Sequence, residues 1–412
     1  MNILVLNAGS SSLKFRLFQM DALRSLAEPE NVLAEGQVER IGKPDAQMAF
    51  RAGSQAAPEK QSVGARSVGE AAREVIRRIT ERNNGSSQPV SIDAAGHRIV
   101  HGGAKFFAPA RIDEAVLSAI HELTELAPLH NPLGLEGIDA VRQALPNAPN
   151  VAVFDTAFHH NLPDVAARYA IPTELSDRLQ IRRYGFHGIS YRYVSERLAL
   201  YLNRPLADLR LILCHLGNGA SVCAMRGGQS VDTSMGFTPL EGLVMGNRSG
   251  DIDPGLVLHL LRLEHLTLDR MDDLLNRKSG LLGLSGRSGD VRDLEQAEQN
   301  GDGAARLALD CFAYRVRKYI GAYAAILGGV DLLVFTGGIG EHSARMRSRI
   351  CHDLEFLNLR LDMQRNAAVT GHEPAAIGGG EEPSIWVVPT DEERQIARET
   401  FALLADAPGT EK

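Results

Sequence analysis

The sequence has little of what marks several classes of protein. It carries no basic excess: 44 Lys and Arg stand against 51 Asp and Glu, a formal net charge of -7. That leaves no electrostatic footprint for nucleic acid, and an anionic ligand would have to be held by local charge. No stretch reaches the roughly 18 apolar residues that a membrane-spanning helix needs. The apolar run near the N-terminus, Ile3 to Leu6, has no basic segment before it and is far shorter than a secretory signal core. The expectation is therefore a cytoplasmic protein that engages neither membrane nor nucleic acid. Cys214, Cys223, Cys311 and Cys351 show no C-x-x-C spacing, which argues against a disulfide framework and reads as free thiols in a reducing compartment. His97 with His101, and His159 with His160, could suggest zinc, but no H-E-x-x-H pattern accompanies them.

What is present describes a soluble globular protein. With 412 residues, 44% hydrophobic and 23% charged, the chain is too long for one ordinary core, so two domains are expected. Its organising stretch is Met1 to Phe18, MNILVLNAGSSSLKFRLF. A short apolar run, a turn of small polar residues and an alternating segment read as strand, tight turn and strand. The turn offers Gly9, the hydroxyls of Ser10, Ser11 and Ser12, and Lys14 just beyond, which suits phosphate oxygens. It is not a P-loop: the second glycine is missing and a strand, not a helix, follows.

Residues 209–226 repeat that plan around Gly217, Asn218 and Gly219, and a third glycine turn, Gly337 to Glu341, follows the apolar strand Leu332 to Phe335. None is a dinucleotide fingerprint, yet three such turns after apolar strands point to a phosphate-bearing ligand. Elsewhere, Ile99 and Val100 mark a strand that ends in a loop, with Arg98 beside it. Asn150 to Phe154 is a strand ending on Asp155. Residues 21–90 read as surface loops around a helix over 68–82. Further helices are expected over 112–126, 137–145 and 307–327, and residues 371–384 read as a loop. A last strand over 385–388 leads into a helix started by a Thr390/Glu393 capping box, which puts Glu392 in its first turn. Strands alternating with helices, with polar residues at strand ends, indicate an α/β sheet that builds its site there.

Taken together these stretches resemble the acetate kinase family, within the superfamily of acetate and sugar kinases, heat-shock ATPases and actin. The resemblance rests on VLNAGSSSLKF (5–15), GHRIVHGG (96–103), LAPLHNP (126–132), FDTAFH (154–159), YGFHG (184–188), CHLGNGAS (214–221), DTSMGFTPLEG (232–242), GNRSGDIDP (246–254), TGGIGE (336–341) and PTDEE (389–393). They run from end to end in the family's order.

The resemblance implies two duplicated ribonuclease H-like α/β domains, each a mixed sheet flanked by helices, with the active site in the cleft between them. The first would span 1–155 and be joined by a C-terminal helix over 386–412; the second would span 156–385. It implies reversible, magnesium-dependent phosphoryl transfer from ATP to acetate, with manganese able to replace magnesium, in a homodimer. Sister kinases acting on propionate or butyrate would share every catalytic motif. An actin-like or chaperone ATPase would keep the phosphate turns but have no use for the catalytic set as a whole.

By the same carry-over, Asp155, Arg98, His187 and Arg248 would be catalytic, and Asn7 and Glu392 would hold the metal. Arg98, Val100, Leu129, Phe186 and Pro239 would receive acetate, the last four as a small apolar pocket. The nucleotide would lie against Ser12, Lys14, His215, Leu216, Gly217, Asn218, Gly219, Asp290, Val291, Arg292, Gly337, Gly338, Ile339, Gly340 and Glu341. Because acetate, like carboxyl side chains of pKa about 4, is ionised at neutral pH, the nucleophile needs no base. Asp155 is then expected to orient Arg98 or a metal-bound water. Two positions depart from the family's pattern, Asn247 in place of threonine and Asp391 in place of asparagine, the latter adding negative charge near the expected metal.

Overall fold

The opening hairpin sets the geometry of everything after it. β1 (Asn2–Ala8) and β2 (Ser12–Gln19) pair antiparallel from Asn2 opposite Gln19 to Ala8 opposite Leu13. Ile3 to Leu6 are almost wholly buried, each such side chain contributing about 1.5–3 kcal/mol. The computed structural model describes residues 1–9, 11–21, 30–53, 57–81, 90–128, 130–380 and 383–405. The chain divides into two compact units, one made of Met1–Ala157 with Asp391–Lys412, the other of Phe158–Thr390.

The first unit is built on an eight-stranded sheet. Besides β1 and β2 it contains β3 (Asn31–Glu39), β4 (Gln47–Ala52), β5 (Glu59–Ser62), β6 (Ala94–Ile99), β7 (Ala110–Arg111) and β8 (Asn150–Phe154), in the order β5-β4-β3-β2-β1-β6-β8-β7. The helices Val68–Thr80 and Asn131–Ala144 cover one face, burying Val75, Ile76, Ala140 and Val141 against Leu4, Leu6, Phe15 and Leu17. On the other face lies the last helix, Glu392–Ala405. It approaches β6 so closely that a Cβ on Gly96 would sit 2.5 Å from Thr400 Oγ1 and 2.8 Å from an Ile396 methyl.

The second unit repeats this arrangement with a six-stranded sheet. β9 (Arg210–Leu216), β10 (Ala220–Arg226), β11 (Gln229–Thr233), β12 (Leu332–Thr336), β13 (Ala375–Ala376) and β14 (Ser384–Val387) take the order β11-β10-β9-β12-β14-β13. In both units three consecutive strands form an antiparallel meander, and the first is joined on its other side by two parallel strands: β6 and β8 on β1, β12 and β14 on β9. The duplication expected from the two hairpins is thus present in strand order and direction. Helix Gly303–Leu327 packs by a stripe of Leu309, Phe312, Val316, Ile320 and Tyr323. Asp302 caps its start by accepting from the Ala304 and Ala305 amides, and Gly328 ends it at φ 66°. Helix Gly188–Leu202 adds Tyr191, Val194 and Leu198 to the core of the same sheet.

Several expectations change. Residues 21–90 are not only loops around a helix: β3, β4 and β5 extend the first sheet there. Their alternation is masked by charged outward residues and by the glycine and proline between them, a pattern typical of sheet margins. The helix expected over 137–145 begins at Asn131, with Pro132 in its first turn, where a missing N–H costs nothing. The span read as a loop over 371–384 contains the edge strand β13. The chain returns to the first unit after Thr390 and not at 386, because Ser384–Val387 pairs with β12 as a strand of the second sheet. Among the described residues no helix is long and apolar enough to cross a membrane.

Candidate active site

Three parallel strands of the first unit, β1, β6 and β8, end at the same edge of their sheet, where open α/β sheets collect ligands. They deliver Asn7, Arg98 and Asp155 to one cluster. The Asp155 carboxylate is buried, and its Oδ2 accepts from Arg98 Nη2 at 2.5 Å and Nε at 3.1 Å. Arg98 Nη1 also donates to Asn7 Oδ1 at 3.2 Å, while Asn7 Nδ2 donates to Glu392 Oε2 at 3.3 Å and Glu393 Oε1 at 2.9 Å. Burial pushes the Asp155 carboxyl up to about 6; the Arg98 guanidinium opposes that shift and Glu392 adds to it. Asp155 Oδ1 is buried and has no hydrogen-bond partner among the described residues, a costly state unless a ligand or its water shell meets it.

The helix that brings Glu392 is fixed by a second network. Asp391, not Thr390, is its cap: Asp391 Oδ1 accepts from the Arg394 amide at 3.0 Å. The Glu393 side chain, expected to complete a capping box, is turned to Asn7. Thr390 faces the second unit's interior, with Oγ1 2.7 Å from Ser190 Oγ. The negative charge that Asp391 adds is met at once by Arg16, whose Nη1 lies 2.7 and 2.8 Å from the two carboxylate oxygens, and by Arg394 Nε at 3.2 Å. It is neutralised locally and does not face the cluster uncompensated. Glu393 has the tightest bond to Asn7, yet sequence reasoning passed over it. Its only signal was a place beside Glu392 in an acidic first turn.

The described residues offer no group of three His, Cys, Asp or Glu side chains placed to share an ion. What Asn7, Glu392 and the open Asp155 oxygen provide is a few hard oxygens, the donor set of an ion that keeps most of its shell as water. Of the histidines weighed for zinc, His97, His101 and His159 are buried and His160 is exposed. His97 bonds Asn150 Oδ1 at 2.8 Å, and His159 donates from Nε2 to the Phe186 carbonyl at 3.0 Å; burial lowers both to about 4.

In the second unit β9, β12 and β14 likewise end together. The turn Gly217–Gly219 follows β9, and His187 stands over it. A Cβ on Gly219 would lie 3.6 Å from His187 Nε2 and 3.7 Å from Arg248 Nη1, so both donors converge on the same turn. His187 adopts φ 61° at the start of helix Gly188–Leu202, a left-handed conformation that is uncommon outside glycine and is concentrated at functional sites. Its ring stacks on that of His215 with centroids 4.2 Å apart. Arg248 Nη1 is aimed by the Pro239 carbonyl at 3.1 Å.

Beside the turn lies a cavity of about 710 Å³ lined by Gly217, Asn218, Asp290, Val291, Arg292, Gly338 and Ile339, all expected from sequence. Its wall also includes Asn247, Ser288, Gly289 and Ser343 from loops, and Glu295 and His342 from the helices Val291–Gln299 and Gly337–His342. Asp290 caps the helix Val291–Gln299 and pairs with Arg292 at 2.6 Å. Gly337, Gly340 and Glu341 stand behind the wall. Gly337 has φ 76°, and a Cβ there would meet the Leu216 carbonyl oxygen at 2.8 Å. The Glu341 carboxylate is turned inward: its Oε1 accepts from the Gly337 amide at 2.9 Å, the Thr390 amide at 3.0 Å and Thr336 Oγ1 at 3.3 Å. It braces the turn instead of lining the cavity.

Ser12 and Lys14 lie on β2, with Lys14 opposite Asn7 in the ladder. Val100 is buried in the first unit; Phe186, also buried, and Pro239 belong to the second. Leu129 and Ser10 lie outside the described residues.

The profile of the acetokinase family matches residues 2–398 of the chain. Acetate kinases of Dictyoglomus turgidum and Caldicellulosiruptor bescii are 47% and 48% identical to it over 407 residues, which cover 98% of this chain and 98% and 100% of theirs. Among solved structures, that of Porphyromonas gingivalis acetate kinase is similar with a TM-score of 0.87 at 40% identity, covering 98% of this chain and 99% of that one. A propionate kinase from Francisella tularensis gives a TM-score of 0.87 at 39% identity, covering 97% and 98%.

Proposed function

The chain belongs to the acetokinase family, and we propose on that footing that it transfers the γ-phosphoryl group of ATP reversibly to the carboxylate of acetate, giving acetyl phosphate and ADP. Such a transfer asks for little covalent help from the protein. Charge spreads over the three equatorial oxygens of the moving group, so catalysis is positioning and charge stabilisation. Arg98 holds the acetate carboxylate and steadies the charge that develops on it. Asp155 keeps the guanidinium in place through its two bonds and needs to accept no proton, since acetate arrives ionised. His187 Nε2 and Arg248 Nη1 donate to the phosphoryl oxygens, and the Gly217–Gly219 turn takes the neighbouring phosphates. Asp290, Arg292, Gly338 and Ile339 receive the nucleoside end, with Ser12 and Lys14 serving the phosphate end from the opening hairpin.

Magnesium, or manganese in its place, is the ion whose habits fit the oxygen set of Asn7, Glu392 and Asp155, held largely through water. When bound it neutralises phosphate charge. The family resemblance assigns Val100, Leu129, Phe186 and Pro239 to the acetate methyl. One methylene is worth only about 1–3 kcal/mol in such a pocket, so propionate is a slower substrate.

The active species is a homodimer. Helix Pro254–Leu263 carries six aliphatic residues and buries none of them, and Leu256, Leu258 and Leu263 are exposed. An apolar helix of this kind calls for a partner surface. The four cysteines are free thiols, in keeping with a cytoplasmic location.

The observation that carries the reading is the Arg98–Asp155–Asn7–Glu392 cluster with the open Asp155 Oδ1, since a nucleotide-switch ATPase has no use for a half-buried arginine poised beside a metal-type oxygen set. Hydroxylamine trapping of acyl phosphate, with Mg-ATP and acetate, propionate or butyrate in parallel, tests it. Acetate should give the highest kcat/KM. A longer acid winning would keep the reaction and reassign the substrate, while ATP hydrolysis without trapped product from any acid would overturn the reading.

A further inference from the structure

His187 is held from behind by hydroxyl groups and by no carboxylate among the bonds described. Its Nδ1 lies 2.8 Å from Ser221 Oγ, which in turn lies 2.5 Å from the Tyr191 hydroxyl. Ser221 and Tyr191 are completely buried, so each hydroxyl hydrogen needs an acceptor, and the partners described for them are the members of this chain of three groups.

Only one assignment places every hydrogen. If Nδ1 accepts, the Ser221 O–H points to it and the Tyr191 O–H points to Ser221 Oγ. If Nδ1 carries the proton, one hydroxyl hydrogen is stranded. Either Ser221 passes its hydrogen to Tyr191, whose own then has nowhere to go, or Ser221 accepts from both sides and its own hydrogen is orphaned. A stranded buried donor disfavours that tautomer by about tenfold or more.

We infer that Ser221, backed by Tyr191, is a positioning residue that fixes His187 as the Nε2–H tautomer, with its single hydrogen presented to the Gly217–Gly219 turn. His187 is then a fixed donor and not a proton acceptor. The left-handed backbone of His187 and the ring of His215 stacked against it hold the plane of the imidazole, and the hydroxyl pair holds its proton. This deepens the phosphoryl-transfer reading and rests on it for the purpose of the donor, but not for the tautomer itself.

The test uses the full-length protein labelled with ¹⁵N-histidine, with long-range ¹H–¹⁵N correlation spectra at neutral pH and His187→Gln to identify the signals. The expected pattern is an unprotonated Nδ1 and a protonated Nε2 at residue 187. In Ser221→Ala nothing at Nδ1 distinguishes the two nitrogens, so the resonances should move toward those of an exchanging mixture. Its kcat should fall about tenfold or more, with KM for ATP within about twofold of the wild type. Tyr191→Phe should keep the Nε2–H pattern, because the Ser221 hydrogen still has only Nδ1 to go to, and should lower kcat severalfold. An Nδ1-protonated ring in the wild type, or an unchanged His187 spectrum in Ser221→Ala, overturns the inference whatever the activity. Should Ser221→Ala fail to fold, the wild-type and Tyr191→Phe spectra decide it. Absence of acyl phosphate with a correct tautomer would count against the reaction alone.

Discussion

Asp155→Asn separates an orienting carboxylate from a proton acceptor. In the folded protein Asp155 Oδ2 receives two bonds from Arg98, with the carboxylate buried and the guanidinium partly exposed. Asparagine keeps one oxygen, turns the other into a donor, and removes the charge. Stripping one partner from a buried ion pair costs about 3–5 kcal/mol. Arg98 retains its bond to Asn7 Oδ1 at 3.2 Å, which puts the loss near the lower end, about 3 kcal/mol. Expressed in the transition state, that is roughly a hundredfold in kcat. The pH profile adds a second readout. Burial raises the Asp155 carboxyl to about 6, and only the ionised form holds Arg98. Wild-type kcat/KM should therefore be constant above that value and fall about tenfold per pH unit below it, and the asparagine variant should lack this acid limb. The assay is hydroxamate formation from pH 5 to 8 at saturating magnesium. Wild-type turnover in Asp155→Asn at every pH, or a variant that keeps the limb, would refute the reasoning.

Gly337→Ala forces a side chain into a left-handed residue and against the Leu216 carbonyl. It should lower stability by about 2 kcal/mol or more and raise KM for ATP more than KM for acetate, as denaturant titration and initial rates would reveal. Asp391→Asn keeps the helix cap but loses the ion pairs to Arg16 and Arg394. A stability loss of about 1–2 kcal/mol that shrinks at high salt is expected, together with a higher magnesium requirement; an unchanged Tm at low salt would sink this. Val100→Ala enlarges the wall around the methyl, and the propionate-to-acetate ratio of kcat/KM should rise by up to about tenfold. Leu258→Glu on the exposed apolar helix should yield monomers by light scattering, and a persistent dimer would place the interface elsewhere.

How much of this was legible beforehand follows from which forces act locally. The hairpins around Gly9 and Gly217 and the strand-to-helix turn at Gly337 were readable because an apolar run followed by glycine and polar residues encodes strand and turn within ten residues. β4 and β5 were not, since a strand near the sheet margin with charged outward residues looks like a polar loop until its neighbour is known. The misread cap has a similar cause. Thr390 and Glu393 have the capping-box spacing, but Asn7 and Ser190, hundreds of residues away, outbid the local amides for those side chains. The Tyr191–Ser221 pair left no trace in spacing either, for hydroxyls buried on a core face look like ordinary small and aromatic packing residues. The family's motifs supplied the identities of Arg98, Asp155 and Glu392. The open oxygen of Asp155, the neutralisation of Asp391 by Arg16 and the inward turn of Glu341 needed the assembled sheet.

The return of the chain to its first unit after Thr390 has a consequence for biosynthesis. Domains usually fold in the order in which the ribosome delivers them. Here the unit that starts first finishes last: its sheet is available once β8 has emerged, but the helix that seats on Gly96 and brings Glu392 and Glu393 to Asn7 is made after the whole of the second unit. Until then one face of the sheet is bare and the cluster around Arg98 lacks its acidic half. The nascent protein has therefore folded its second unit before it can bring Glu392 and Glu393 to Asn7, so on the proposed roles a stalled or truncated product ending before Asp391 should lack turnover and expose an apolar sheet face for chaperones to recognise.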